Sequence, residues 1–482
     1  MALPPELVRV RDGRFDVGGS SLPVVGANCY YLAYASPRMR GDVLAIANQL
    51  GLNTIRSLAF LDCKAAPSGT VPEDAWRGVY FQCWDPDKSC PRLNEGADGL
   101  ERLDHLIADA EAAGIRLILP LVNHWPDFGG MDRYVEWFQA GSRDQFYRDA
   151  RVRAAYQSYM QQLLTRRNTV TGRVYNQEPA ILAWELANEP RCETRDGREV
   201  LLGWIRDMSR WVKQQDPNHL LSVGDEGQFA SGSGHLYDGR YGVDCEAFLQ
   251  VPDIDFGTFH MYPEAWNQPD PVQFGIQWIE QHLSAGRKAG KPMLLEEYGM
   301  TVGADGQSSI LTRNFVYRYW LQAVSSERGA GDLAWMIASV DDLTDKLYPD
   351  YDHFTFYSVS EVMSIRDHVL QMTQGAPADS APPLESPGPE RAAVHLWVTD
   401  HNGIFLDENQ TRVTVKRDGQ QPGDSLILDF SGGPVQINLP AFPAGNLILE
   451  IQPRTYQDCN CGPFPVRPRE RLLMQITTDR NS

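Results

Sequence analysis

From Pro23 onward, short apolar runs alternate with longer segments in which apolar residues recur every three or four positions. The runs are "LPVVGANCY", "GLNTIRSLAF", "GIRLILPLVN", "AILAWELAN", "HLLSVGDEG", "DIDFGTFHMY", "KPMLLEEYG" and "GDLAWMIAS". They are apolar almost throughout rather than at every second residue, as parallel strands covered on both faces are. The stretches 99–113, 152–166, 200–215, 271–289 and 308–327 carry the helical period instead. Eight alternations of this kind predict an α/β fold, a (β/α)8 TIM barrel. A doubly wound open sheet would place a glycine-rich phosphate loop after its first strand, and "GANCYYLAYASPRMRG" has none.

Two flanking segments depart from the pattern. Residues 7–22, "LVRVRDGRFDVGGSSL", read as a hairpin with an Asp-Gly turn, placed to plug the barrel floor. Residues 374–391, "QGAPADSAPPLESPGPER", hold five prolines and no apolar period, which predicts a linker or a long surface loop. Beyond it, 392–482 alternates in the strand fashion without a helical stretch. The expected organisation is therefore a barrel over 1–373, a linker over 374–391 and a small β-sandwich-like domain over 392–482.

Composition narrows the choice of partner. The chain has 482 residues, 42% hydrophobic and 22% charged, the balance of a globular protein. A net charge of −19 without a Lys/Arg cluster argues against nucleic acid and against an anionic membrane surface, so a neutral substrate fits better. No stretch reaches the roughly 20 apolar residues of a membrane span. Residues 1–19 lack an export signal's apolar centre, leaving a cytoplasmic protein or a secreted one whose signal has been removed. The eight cysteines show no paired CxxC spacing, so no zinc site is expected. Cys83 and Cys90 are close enough for a local disulfide, though the spacing does not choose between oxidised and reduced.

In such a barrel, functional groups collect at the C-terminal ends of the strands. Those ends carry Arg56, then Asn123, His124 and Trp125, then Asn188, Glu189 and Arg191, then Asp225 and Glu226, then His260 and Tyr262, then Glu296 and Glu297, and finally Trp335. Each has a plainer reading: Asn-Glu-Pro as a solvated turn, Arg56 as a surface ion pair, His260 as a satisfied core histidine, Trp184 and Trp335 as core rings. Together they form a polar ring with aromatic members. Strands four and seven lie across the barrel from each other, so Glu189 and one glutamate of the 296–297 pair can meet over its mouth. Neighbouring strand residues face opposite ways, so only one of that pair is expected to enter. Two facing carboxyls suit glycosidic bond cleavage. In the retaining form one protonates the departing oxygen and the other attacks the anomeric carbon, with about 5–5.5 Å between them. A sugar-binding protein without catalysis could drop one carboxylate, and a metal hydrolase would need a His/Asp cluster that His124 and His260 do not make.

The motifs "WELANEPRC", "SVGDEG", "DFGTFHMYPEAW", "LLEEYG" and "YPDYDHFTFY", with "LVNHWPDFGGMDRYVEW" and "NTVTGRVYNQEPAI", resemble the endo-β-1,4-mannanases of glycoside hydrolase family 5 over residues 7–373. The resemblance implies a retaining hydrolase of mannan, glucomannan or galactomannan, needing no metal or organic cofactor. An exo-acting β-mannosidase and a β-1,4-glucanase are the alternatives, and the loop 340–356 is long enough to close one end of a cleft. It implies Glu189 as acid/base, with a raised pKa, and Glu297 as nucleophile, its pKa lowered by Arg56 and Tyr262. Asn188 would reach the sugar 2-hydroxyl, His260 would bond within the cluster and Trp335 would floor the site. Arg191 and Glu226 would meet hydroxyls on the leaving-group side, Asn123 and Trp125 would contact substrate, and Tyr134 is a further candidate for a cleft wall. His124 stands where many relatives have asparagine.

Overall fold

The computed structural model of the chain describes residues 6–303, 309–327 and 329–374, together with seven strands between 393 and 477. Eight parallel strands form one sheet: β1 (Val24–Asn28), β2 (Thr54–Arg56), β3 (Arg116–Pro120), β4 (Ile181–Glu185), β5 (Leu220–Ser222), β6 (Gly257–Met261), β7 (Met293–Tyr298) and β8 (Gly331–Ala334). Their order, β5-β4-β3-β2-β1-β8-β7-β6, wraps the sheet into a barrel. Its two ends meet through Asp255 N–H on Leu221 O (2.8 Å), the Ser222 hydroxyl on Phe256 O (3.1 Å) and His260 N–H on Glu226 O (3.1 Å). All eight strand segments named in the sequence lie in this sheet, and their residues are buried because helices cover the outside.

The helices start and stop where their chemistry directs. Ser36 accepts from Met39 N–H ahead of the helix Pro37–Leu50, and Asp270 accepts from Gln273 N–H ahead of Pro271–Ala289, each with proline in the first turn. Gly51, Gly114 and Gly290 end their helices in the left-handed conformation. Trp184 is core as its plainer reading held, 1% exposed with its indole N–H on Asp216 at 2.8 Å. Among the described residues no helix is long and apolar enough to cross a membrane.

The N-terminal segment forms three short antiparallel strands, with Asp12 and Gly13 both at positive φ in the turn. Val8 and Phe15 pack with Val24, Ile118, Leu182, Phe256, Leu294 and Leu333, closing the barrel floor. A small sheet inserted after β2 (Asp62–Cys63, Gln82–Asp85, Cys90–Leu93) has no counterpart in the sequence reading, because its strands are too short for a period to register. It also settles the local cysteines. Cys83 is buried opposite Cys63, whereas Cys90 is exposed and pairs in register with Asp85, and all are free thiols. The local disulfide is therefore not formed.

The barrel part ends in the helix Met363–Gln374, so Gln374 is helical, and the rest of the proline-rich segment lies outside the described residues. The seven following strands divide between two sheets. One has the order Val435–Asn438, Ala393–Thr399, Arg471–Thr477, and the other Leu426–Phe430, Thr411–Arg417, Gly445–Gln452, Cys459–Val466.

Gly26 on β1 offers a test of how tightly the barrel is wound. A Cβ there would stand 2.3 Å from the Thr54 carbonyl oxygen and 3.1 Å from Leu333. Gly26→Ala should cost about 1–3 kcal/mol of stability by overpacking, measured by thermal unfolding against the parent protein.

Candidate active site

The C-terminal strand ends open into a cleft of about 810 Å³. On the side of β1, β2 and β8 its wall includes Tyr30, Tyr34, Trp76, Phe128, Trp335 and Tyr351; on the side of β4, β5 and β6 it includes Arg191, Glu226 and Trp266. Glu189 and Glu297 stand between these walls.

Arg56 is 3% exposed at the end of β2 and connects four elements. Its Nη1 donates to Glu297 Oε1 at 2.6 Å and to Asn28 Oδ1 at 3.3 Å, its Nη2 to Asn188 Oδ1 at 2.7 Å, and its Nε to Glu185 Oε2 at 2.9 Å. The second Glu297 oxygen accepts from the Tyr262 hydroxyl at 2.7 Å. The surface ion-pair reading of Arg56 is thereby excluded.

Glu189 follows β4 in the left-handed region, φ +50°, where a side chain is uncommon. Its Oε1 lies 2.6 Å from His260 Nδ1 and its Oε2 accepts from the Trp125 indole at 2.5 Å. His260 also stands 3.5 Å from Glu297, and each of Glu189, His260 and Glu297 offers one atom within 4.8 Å of the other two. All four carboxylate oxygens already have donors, and the Arg56 guanidinium touches Glu297, so this triad serves its own members rather than an ion.

The charges fall differently from the sequence expectation. Burial raises the Glu297 carboxyl by more than His260 and Arg56 lower it, so it lies above the usual glutamate range. Glu189 is held down to about 2 against its own burial, first by the His260 bond and charge and then by the Trp125 indole. His260 is raised well above the ordinary histidine value: burial opposes its charge, but Glu297 and Glu189 outweigh it. The resting proton of the Glu189–His260 bond thus sits on the imidazole.

Around this centre, Asn188 Nδ2 donates to Asn123 Oδ1 at 3.0 Å, joining the ends of β3 and β4. Arg191 forms a two-bond pair with Glu226 at 2.6 and 2.8 Å, its guanidinium 4.9 Å from the Trp125 ring centre and 4.3 Å from that of Tyr241. Trp335 lines the cleft, its ring stacked on Tyr30 and its N–H on Asp352 at 2.7 Å. The named residues Arg56, Asn123, Trp125, Asn188, Glu189, Arg191, Glu226, Tyr262, Glu297 and Trp335 all face this cleft, and His260 lies directly beneath it.

Two expectations need correction, for Tyr134 and Glu296, and the structure also places His124. Tyr134 is fully buried and accepts from Gln82 at 2.6 Å, too far inside to wall the cleft. His124 is buried against Arg143 at 3.1 Å and lowered to about 3, first by burial and then by Arg143, so it is a neutral packing group. Glu296 does not face away from Glu297: register shifts beside β7 break strict alternation, and both reach the cluster around Arg56 and His260. Only Glu297 lines the cleft. Sequence reasoning missed Tyr34, Trp76 and Arg77, and also Tyr348 and Tyr351, because loops carry no period. The aromatic content of "YPDYDHFTFY" was the available signal.

Two facing carboxyls at a barrel mouth, set among amides and flat rings, are the equipment of a glycoside hydrolase. Comparison with known proteins agrees. A family model described as glycoside hydrolase family 5, β-mannosidase-like, matches residues 6–332. Mannan endo-1,4-β-mannosidase F of Aspergillus fumigatus is 36% identical over 348 residues, covering 71% of this chain and 73% of that one. Mannan endo-1,4-β-mannosidase A of Podospora anserina is also 36% identical, covering 75% and 90%. Among solved structures, the endo-1,4-β-mannanase of Rhizomucor miehei superposes with a TM-score of 0.67 at 32% identity over 76% of this chain and 99% of that one. The endo-β-1,4-mannanase of Thermotoga petrophila gives 0.67 at 29% over 95% and 99%. The chain belongs to glycoside hydrolase family 5.

Replacing Arg56 by Met tests its electrostatic position. Glu297 and Glu185, already raised by burial, would lose their cation and rise further, and Glu296 would rise from below the ordinary value. Stability held by groups with raised pKa values is lost as pH rises. Unfolding curves should show a small deficit at about pH 4 that grows to about 3–5 kcal/mol near pH 7.

Proposed function

We propose that this protein is a retaining β-mannan hydrolase that cuts internal β-1,4-mannosidic bonds, with Glu297 as nucleophile and Glu189 as acid/base. The observation that carries the mechanism is the close approach of the two carboxyls, whose nearer atoms lie within 4.8 Å. That spacing leaves no room for the water an inverting enzyme holds between them. The mannan preference is supported by the names of the curated relatives, and internal cutting by a cleft walled on both sides of the bond-cleaving pair. The loop 340–356 supplies Tyr348, Tyr351 and Asp352 to one wall, and the Arg77–Asp341 pair ties it to the inserted sheet.

In this reading Glu297, held by Arg56 and Tyr262, attacks the anomeric carbon and displaces the leaving sugar. Glu189 needs a proton to give the departing oxygen, and His260 holds one 2.6 Å away. Its transfer from Nδ1 to the carboxylate neutralises both groups, a change favoured when a sugar displaces water from the cleft. Glu189 then takes a proton from water as the glycosyl ester is hydrolysed. Asn188, held between Arg56 and Asn123, is placed for the 2-hydroxyl. Every one of these residues precedes 374, so the barrel over 1–373 would carry the whole site, with the linker and the β-domain as separate parts.

Glu297→Ala should lose mannan turnover by orders of magnitude, and azide should restore activity with inverted product. Glu189→Ala should lose most on mannan and little on aryl mannosides, whose leaving groups need no proton. Equal losses on both substrates would overturn the assignment of Glu189.

Arg191 is remote from the reacting atoms and belongs, in this reading, to a sugar beyond the bond. Its contact is worth about 1.5–3 kcal/mol as a charged hydrogen bond. Arg191→Ala should change the ratio of products from labelled mannotetraose while leaving aryl mannoside hydrolysis nearly intact. An unchanged ratio would make Arg191 a partner of Glu226 alone.

A further inference from the structure

Below the cleft lie two carboxyls that the catalytic reading leaves without a task. Glu185 closes β4 and Glu296 lies in β7, and both are fully buried. Arg56 Nε is 2.9 Å from Glu185 Oε2 and 3.5 Å from Glu296 Oε2, so the two groups converge on one N–H. Glu296 Oε2 also faces His260 Nε2 at 3.4 Å. The other oxygen of each, Glu185 Oε1 and Glu296 Oε1, is shut off from solvent and meets no donor. A buried carboxylate oxygen without a donor has lost its water and gained nothing. Two such oxygens in converging carboxyls are satisfied together if one group keeps its proton and donates it to the other.

The balance of charge leads to the same place. Facing this pair are Arg56 on β2, His260 on β6, Glu297 on β7, Asp225 beyond β5 and, past His260, Glu189. Arg191 and Glu226 neutralise each other. The carboxyls of Glu185, Glu189, Asp225, Glu296 and Glu297 therefore share the cations of Arg56 and His260, an excess of negative charge that a dry interior does not tolerate. Burial raises Asp225 to about 7, which relieves only part of it.

We propose that Glu185 and Glu296 share one proton, with Glu185 the neutral donor and Glu296 the carboxylate, and that this pair positions Arg56 and His260 for the two glutamates of the cleft. The donor is Glu185 because Glu296 has an imidazolium to face, whereas Glu185 has only the Arg56 Nε. Burial and the Glu296 charge hold the Glu185 carboxyl well above the usual range despite Arg56, while Arg56, Glu185 and His260 hold Glu296 below it despite burial. One negative charge under Arg56, instead of two, leaves more of its field for Glu297. Glu185 and Glu296 are positioning residues. Their effect on turnover rests on the roles proposed for Glu189 and Glu297, but the shared proton does not.

Infrared difference spectra on the folded protein read the proton directly. At about pH 9, where exposed carboxyls and Asp225 are ionised, the parent should show the C=O stretch of a protonated carboxyl that both Glu185→Gln and Glu296→Gln lack. If only one variant folds, it carries the same comparison. Absence of the band from the parent, or its persistence in these variants, overturns the shared proton and leaves the roles of Glu189 and Glu297 untouched. The pH profile of kcat/KM adds a second reading. Glu185→Gln exchanges one neutral donor for another, so both limbs should stay within about 0.3 units, whereas Glu296→Gln removes a charge at His260 and should move a limb by about one unit. A limb shift of that size in Glu185→Gln means that Glu185 is ionised and the proposal is wrong. Glu185→Leu, which neither donates nor accepts, should fall about tenfold below Glu185→Gln in kcat at similar KM. Equal losses in the two would reduce Glu185 to packing.

Discussion

Arg56 is a cation shut away from water, and it is stable there only because four acceptors from three strands and their ends surround it. It reaches Asn28 of β1, Glu185 at the end of β4, Asn188 just beyond it and Glu297 of β7. A buried guanidinium tolerates no gap in such a set, because each lost acceptor leaves charge without compensation. Building the site and closing the barrel are thus one event. The strands must arrive in register for the acceptors to meet, and the acceptors, once met, fix the strand ends against one another.

The same cluster shows how one environment separates two carboxyls. Glu297 is buried and Glu189 half-buried beside His260, yet Glu297 is raised and Glu189 lowered to about 2. The difference lies in the partners. Glu189 has the 2.6 Å bond to the imidazole and an indole N–H, whereas Glu297 feels the negative charge of Glu189 against the donors it receives. Protons in such a cluster belong to the group rather than to one residue, so the resting assignment to His260 does not fix the assignment once a sugar replaces water.

What the sequence disclosed follows from what leaves a periodic trace. The barrel was legible because eight buried strands and their helices impose two different periods over a long chain. The strand-end residues Arg56, Asn188, Glu189, Arg191, His260, Tyr262, Glu297 and Trp335 were legible because the fold places its polar groups there. Glu185 and Glu296 were not read as partners. Their meeting depends on a register shift near β7 that breaks the rule of alternation, and no local pattern announces a bulge. Tyr134 was misplaced for a related reason: an aromatic residue on a short helix, Gly130–Trp137, suits a wall or a core equally, and only its packing against Trp137, Phe146 and Tyr156 and its bond from Gln82 decide. The walls carrying Trp76, Arg77 and Tyr351 depend on how an inserted sheet and a long loop meet through Arg77 and Asp341, a contact between residues 264 positions apart.

The cleft's two sides are therefore built on different physics. Toward β1, β2 and β8 the surface is built of rings: Tyr30 stacks on Trp335, Tyr34 on Trp76, and Phe128 packs against both Tyr34 and Trp76. Tyr30, half-buried, and Tyr34, buried, are pushed far above the ordinary phenol value, chiefly by loss of water, and stay neutral. Contacts on that side are apolar faces and neutral hydroxyls, insensitive to salt. Toward β4 and β5 the surface is the Arg191–Glu226 pair under the Trp125 and Tyr241 rings, where charge-assisted hydrogen bonds fix orientation more strictly than stacking does.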